Sequence, residues 1–83
     1  KDFEKLDEST YIFSGTAGLD VLNEWADAQL PEDEYDTLSG FIISQLGRIP
    51  EYDEKPEIEF NGLLFKVEEV SEKRIEKIKV CRA

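Results

Sequence analysis

The spacing of apolar residues changes along this chain from strand-like to helical and back again, and those changes divide it into segments. Thr10 to Ser14 reads TYIFS, a short run of β-branched and aromatic residues that predicts a strand. Gly15 to Gly18 interrupts it. Leu19, Leu22, Trp25 and Ala26 then recur at helical spacing, which predicts a helix over about 19–28. Gly18 is placed to cap its start, and Asp20 lies where the positive end of the helix dipole favours a carboxylate. Leu30 and Pro31 end this helix, and an acidic loop, PEDEYD, follows. Leu38, Phe41, Ile42, Gln45 and Leu46 share one face of a second helix. Asp36 or Thr37 caps its start, Gly47 suits the left-handed position just past its end, and Pro50 cannot continue it.

Beyond Pro50 the period falls to two. Ile58 and Phe60 alternate with Glu57 and Glu59, and Asn61-Gly62 is the dipeptide that most favours a tight hairpin. Leu63, Phe65 and Val67 alternate with Lys66 and Glu68. Ser71 to Lys73 turns the chain, and Arg74 to Arg82 forms a last strand with Ile78 and Val80 inward. The order is β-α-α-β-β-β, an α+β fold with two short helices packed on an antiparallel sheet. Trp25 and Phe41 are expected in the core, and Ile49 is expected to point inward from the turn before Pro50. Residues 1–9 are charged and aperiodic and read as a linker from an upstream domain, leaving 10–83 as the folded unit. The last strand is expected to leave an edge whose alternating charges discourage uncontrolled pairing, so the chain should be a monomer or a weak dimer.

Composition narrows the function. An 83-residue chain needs most of its large apolar side chains to close a core, which leaves little for a roomy catalytic cavity. There is no histidine, so Cys81 has no base with which to form a nucleophilic pair. The many carboxylates sit in polar surroundings, without the apolar environment that sets a proton donor apart from an ionised partner. These features point away from catalysis. The single cysteine also rules out an internal disulfide and fits a reducing compartment. No run approaches the ~20 apolar residues needed to span a bilayer, and no secretory leader opens the chain. Any membrane connection is therefore expected in segments outside this sequence, and the start at Lys1 fits a piece of a longer protein.

The net charge of −10 is unevenly placed. Leu6 to Gly47 holds nine acidic residues and no Lys or Arg, which disfavours nucleic acid and anionic lipid as partners. Lys73, Arg74, Lys77, Lys79 and Arg82 lack interleaved aromatics and read as a solvated strand face. Glu32, Asp33, Glu34 and Asp36 are weak metal candidates. Their spacing departs from a calcium loop, and a solvated acidic loop that attracts divalent ions only through its field is the plainer reading. Gly15, Thr16 and Gly18, before the first helix, are weak candidates for cradling a phosphate, with Asp20 placed to repel one. Arg48 interrupts the long stretch without cations. It is expected to clamp a carboxylate or helix-end carbonyls, with contact to a neighbouring domain as the alternative.

The stretch from Tyr35 to Pro50, YDTLSGFIISQLGRIP, resembles the signature of the transporter-associated domain of CorC/HlyC proteins. The resemblance rests on Asp36, Thr37, Leu38 and Gly40 at the helix start, and on Gly47, Arg48, Ile49 and Pro50 at its end. Phe65, Val67, Arg74 and Ile75 follow at matching separations, so that it runs from Thr10 to Arg82. One departure is Glu51-Tyr52-Asp53-Glu54, where the family usually has Gly-Asp. Another is Gly18, where it commonly has a polar cap. The resemblance implies a fold like one subdomain of FAD-binding oxidases. It also implies a context: upstream transmembrane and CBS domains in the same protein, a position on the cytoplasmic side of the plasma (inner) membrane, and a link to magnesium/cobalt efflux or haemolysin-like proteins. The expected role is a non-catalytic accessory or regulatory module without a cofactor, acting by docking or self-association. An FAD- or nucleotide-binding domain, or a divalent-cation sensor using the acidic loop, are the alternatives.

Overall fold

These periods resolve into β1 (Phe3–Asp7), β2 (Thr10–Ser14), α1 (Leu19–Ala26), α2 (Leu38–Leu46), β3 (Glu57–Phe60), β4 (Leu63–Val70) and β5 (Ile75–Arg82). The computed structural model describes residues 3–26, 28–72 and 74–82, the side chains of Phe3 and Ala26 aside. Ala26 in the expected apolar helix face, Asp27 in the expected last turn and Lys73 in the expected basic strand group therefore lie, in whole or in part, outside this description. The five strands form one antiparallel sheet in the order β1-β2-β5-β4-β3, with two helices against it, as the α+β reading requires.

Two expectations are corrected. Residues 3–7, read as part of an irregular linker, form an edge strand paired with β2. Lys5 opposes Tyr11 while Asp7 opposes Thr10, so Leu6 is an extra residue in a bulge, and the bulge destroys the alternation that would have revealed the strand. The last strand is not an edge. β5 lies at the centre, paired with β2 from Thr10↔Cys81 to Ser14↔Lys77 and with β4 along its other side.

Phe13, Leu63, Phe65, Val67, Ile78 and Val80 line the covered face of the sheet, and Leu19, Leu22, Leu38, Phe41 and Ile42 meet them from the helices. Phe41 is the centre of this core. Its ring lies edge-on to Tyr35, Phe60 and Phe65 at centroid distances of 5.9, 5.1 and 6.2 Å, the geometry in which a ring edge meets a neighbour's π-face. Trp25 departs from expectation, being 54% exposed. Each three-residue step from Leu19 to Leu22 to Trp25 falls about 60° short of a full turn, so the third member drifts to the margin of the stripe.

Turn chemistry ties the layers together. Asn61 and Gly62 have φ of 52° and 81°, as a tight two-residue hairpin requires. The Asn61 side-chain amide also donates to the carbonyls of Ala28 and Gln29, both at 3.1 Å, fastening the segment after α1 to the β3–β4 hairpin.

Candidate functional site

The start of α2 is laced to the rest of the chain through its first N–H groups. Leu38 N–H donates to Ala17 O, Ser39 N–H to Gly15 O, Gly40 N–H to Thr37 Oγ1 at 3.1 Å, and Phe41 N–H to Thr37 O. The N–H groups of Leu38, Ser39 and Gly40, which have no partner within the helix, are thus engaged, with Thr37 as the cap, and Phe41 N–H makes the first helical bond. Ser39 extends the lacing, since its buried hydroxyl accepts Ile75 N–H at 3.1 Å across to β5. Sequence reasoning passed over Ser39 as a small residue. Its only signal was a hydroxyl on the inward side of an otherwise apolar helix start.

The end of α2 is held differently. Gly47 is left-handed, with φ 84°, and its N–H donates to Ile43 O at 2.8 Å. Arg48 then reaches forward and grips Glu54 with both terminal nitrogens, at 2.8 and 2.5 Å. Glu54 also accepts Glu51 N–H at 2.8 Å, and its own N–H returns to Glu51 O. The Arg48 guanidinium, followed by the Glu51 N–H, holds the Glu54 carboxyl well below its ordinary range, at about 2. Arg48 is therefore a clamp in geometry, but an open one, because the two side chains are 58% and 33% exposed. Residues 51–54 close without positive φ, so this turn needs no glycine where the family pattern has one.

Inside the clasp only Pro50 is buried. Ile49, expected to point inward, is 41% exposed, and Tyr52 is 87% exposed. The reason is steric: with Gly47 turning the chain and Pro50 taking the inward place, Ile49 falls on the outer side of the turn. The clasp thus fixes a loop that presents apolar surface to solvent.

The other candidate residues do not assemble a site. At the glycine turn, Gly15 N–H donates to Glu76 O, Thr16 N–H to Ser14 Oγ, Ala17 N–H to Ser14 O and Leu19 N–H to Asp36 O. A phosphate would have to displace these bonds. Gly15 is there for closeness: a Cβ on it would lie 1.7 Å from Ile75 O. Glu32, Asp33, Glu34 and Asp36 are all exposed, and Glu32 accepts a 2.7 Å bond from Asn23. No group of three or more possible metal-ligating side chains converges among the described residues. Cys81 is half-buried on β5, between Thr10 and Leu64.

Comparison with known proteins places this architecture. The CorC_HlyC family model, described as a transporter associated domain, matches residues 4–83. The chain belongs to the CorC/HlyC transporter-associated domain family. Hemolysin C of Brachyspira hyodysenteriae is 35% identical over 85 residues, covering 95% of this chain but 31% of that protein. The domain thus spans about a third of that relative. A hemolysin domain from Enterococcus faecalis superposes with a TM-score of 0.90 at 27% identity, with 99% and 98% of the two chains covered. A transporter-associated domain from a Xylella fastidiosa hemolysin, solved in complex with Mg2+ and Mn2+, superposes with a TM-score of 0.81 at 26% identity, covering 100% and 99%.

In this transporter-associated domain the signature positions divide by task. Thr37, Leu38, Gly40, Phe65, Val67 and Ile75 cap or fill the core. Asp36 O receives the Leu19 N–H that laces α1 to α2. Arg74 pairs with Glu76 at 3.2 Å, and its carbonyl accepts Ser71 N–H and Oγ, closing the β4–β5 turn. Gly47, Arg48, Ile49 and Pro50 shape the exposed loop. No helix among the described residues is long and apolar enough to cross a membrane.

Proposed function

We propose that this domain is a non-catalytic accessory module of a membrane divalent-cation transporter, lying on the cytoplasmic side and acting by docking against other domains of the protein that carries it. The observation that carries the reading is the clasped turn. A bidentate ion pair fixes a loop, and that loop holds Ile49 and Tyr52 out in water. Exposed apolar side chains on a conformationally fixed loop are what a partner surface can bind with little ordering cost. The family's description as transporter-associated supplies the context.

Deleting the domain from the parent protein, with membrane insertion verified, should change how Mg2+ or Co2+ efflux responds to ion load while leaving a membrane-inserted protein. Unchanged transport in the deleted protein, or stoichiometric FAD binding by the isolated domain at micromolar concentration, would falsify the reading. A cation-sensing role draws on the Mg2+ and Mn2+ bound by the Xylella relative. It predicts that millimolar Mg2+ raises the melting temperature well beyond Na+ of equal ionic strength.

A further inference from the structure

We propose that the Ile49–Tyr52 loop and the groove beside it take a cationic protein surface on another domain of the parent protein, with Tyr52 as the anchor. This rests on the docking reading above and adds the place and chemistry of the contact. Between the clasped turn and the β4–β5 turn lies a depression of about 280 Å3, lined by Ile49, Pro50, Glu51, Tyr52, Ser71 and Glu72. It adjoins a second, of about 500 Å3, lined by Ser71, Glu72, Arg74 and Glu76. Ser71 and Glu72 border both, so the two depressions adjoin, and Tyr52 lines the first.

Charge selects the occupant. The two arginines at this end are already engaged, Arg48 by Glu54 and Arg74 by Glu76. Along the two turns, residues 48–54 and 71–76, the sequence sets three cations, Arg48, Lys73 and Arg74, against five carboxylates, Glu51, Asp53, Glu54, Glu72 and Glu76. A second copy would bring like charge against like charge, on a chain whose net charge is already −10. Anionic lipid and nucleic acid are disfavoured for the same reason. A surface carrying Lys or Arg gains attraction from the carboxylate rim, and a guanidinium or ammonium can also lie over the exposed phenol ring. The fixed loop and the two-torsion Tyr side chain keep the ordering cost low.

The solved Enterococcus and Xylella domains, 98% and 99% covered by this chain, indicate a unit that folds alone. Isolated domain should therefore be titrated into the parent protein lacking it, at low and high NaCl. Wild type should bind, and binding should weaken as salt rises. Tyr52→Ala and the double reversal Asp53→Lys/Glu72→Lys should each weaken it by about tenfold or more, as for anchor residues. Both variants should unfold in urea as wild type does. Binding that resists salt and both variants discards this surface but keeps the docking reading, as does absent binding when deletion still alters transport. Self-association of the isolated domain, abolished by Tyr52→Ala, would replace the cationic partner with a second copy.

Discussion

Two glycine-bearing turns adjoin the helical layer, and they are opposites. The Gly15–Gly18 turn faces inward, with the Gly15 N–H bonded to β5 and the Thr16 and Ala17 N–H groups bonded to Ser14. The Gly47–Glu54 turn faces outward, held by an exposed ion pair with apolar side chains on show. Even the glycines differ. Gly15 is required because there is no space for a side chain, Gly47 because of its φ of 84°, with nothing within 4 Å of a Cβ there. Sequence offered the first as no more than a weak phosphate candidate and the second as a turn. Bond accounting makes the first scaffold and the second display.

That contrast can be broken most forcefully at Gly15. Gly15→Ala forces backbone apart, because the clash is with Ile75 O rather than a movable side chain, and should cost about 3 kcal/mol in urea unfolding. A cost under about 0.5 kcal/mol, the range of surface sites, would show that the approach is not tight. Ser39→Ala comes next. It leaves the Ile75 N–H buried without its acceptor, for about 2 kcal/mol by the same assay. Gly47→Ala tests conformation alone and should cost about 1 kcal/mol, the left-handed penalty. A value matching Gly15→Ala would erase the distinction between the two glycines.

The smallest effect is expected at the clasp and is best read by titration. Glu54 is depressed from 4.5 to about 2 in the folded chain. Its contribution to stability is therefore fully present above the unfolded carboxyl's pKa and is lost as pH falls from there through about 2. Arg48→Ala should move the Glu54 carboxyl upward in an NMR titration, though not fully to 4.5, because the Glu51 N–H remains. Global stability at pH 7 should change little, since exposed ion pairs contribute weakly. A large loss would mean that the clasp supports the core.

The fold was legible where period and burial agree. Thr37, Gly47, the Asn61-Gly62 hairpin and the inward rows of β4 and β5 follow from local rules. β1 was not legible, because a bulge at Leu6 breaks its alternation and an edge strand tolerates charge. Trp25 and Ile49 were misplaced because spacing gives a face but not the reach of the neighbouring layer. Ser39 and Asn61 do work set by partners 36 and 33 residues away, which no local window contains. For the candidate site, Arg48 was visible as a lone cation in an acidic stretch. Its partner Glu54 and the outward Ile49 and Tyr52 depend on how the turn closes.

The central place of β5 has a consequence for synthesis. The ribosome delivers this strand after the other four, yet it joins the β1–β2 pair to the β3–β4 pair. Until it emerges, the nascent chain can hold at most two separate hairpins, each with an unsatisfied edge and a wet apolar face, and neither is stable alone. Folding must wait for a contact between residues more than sixty positions apart, which makes closure slow for so short a chain. A chain stopped after Ser71 should accordingly unfold without a cooperative transition in circular dichroism, whereas the whole domain melts as one. Quality control therefore has a simple criterion to act on: with its last strand missing, the domain is a pair of sticky fragments.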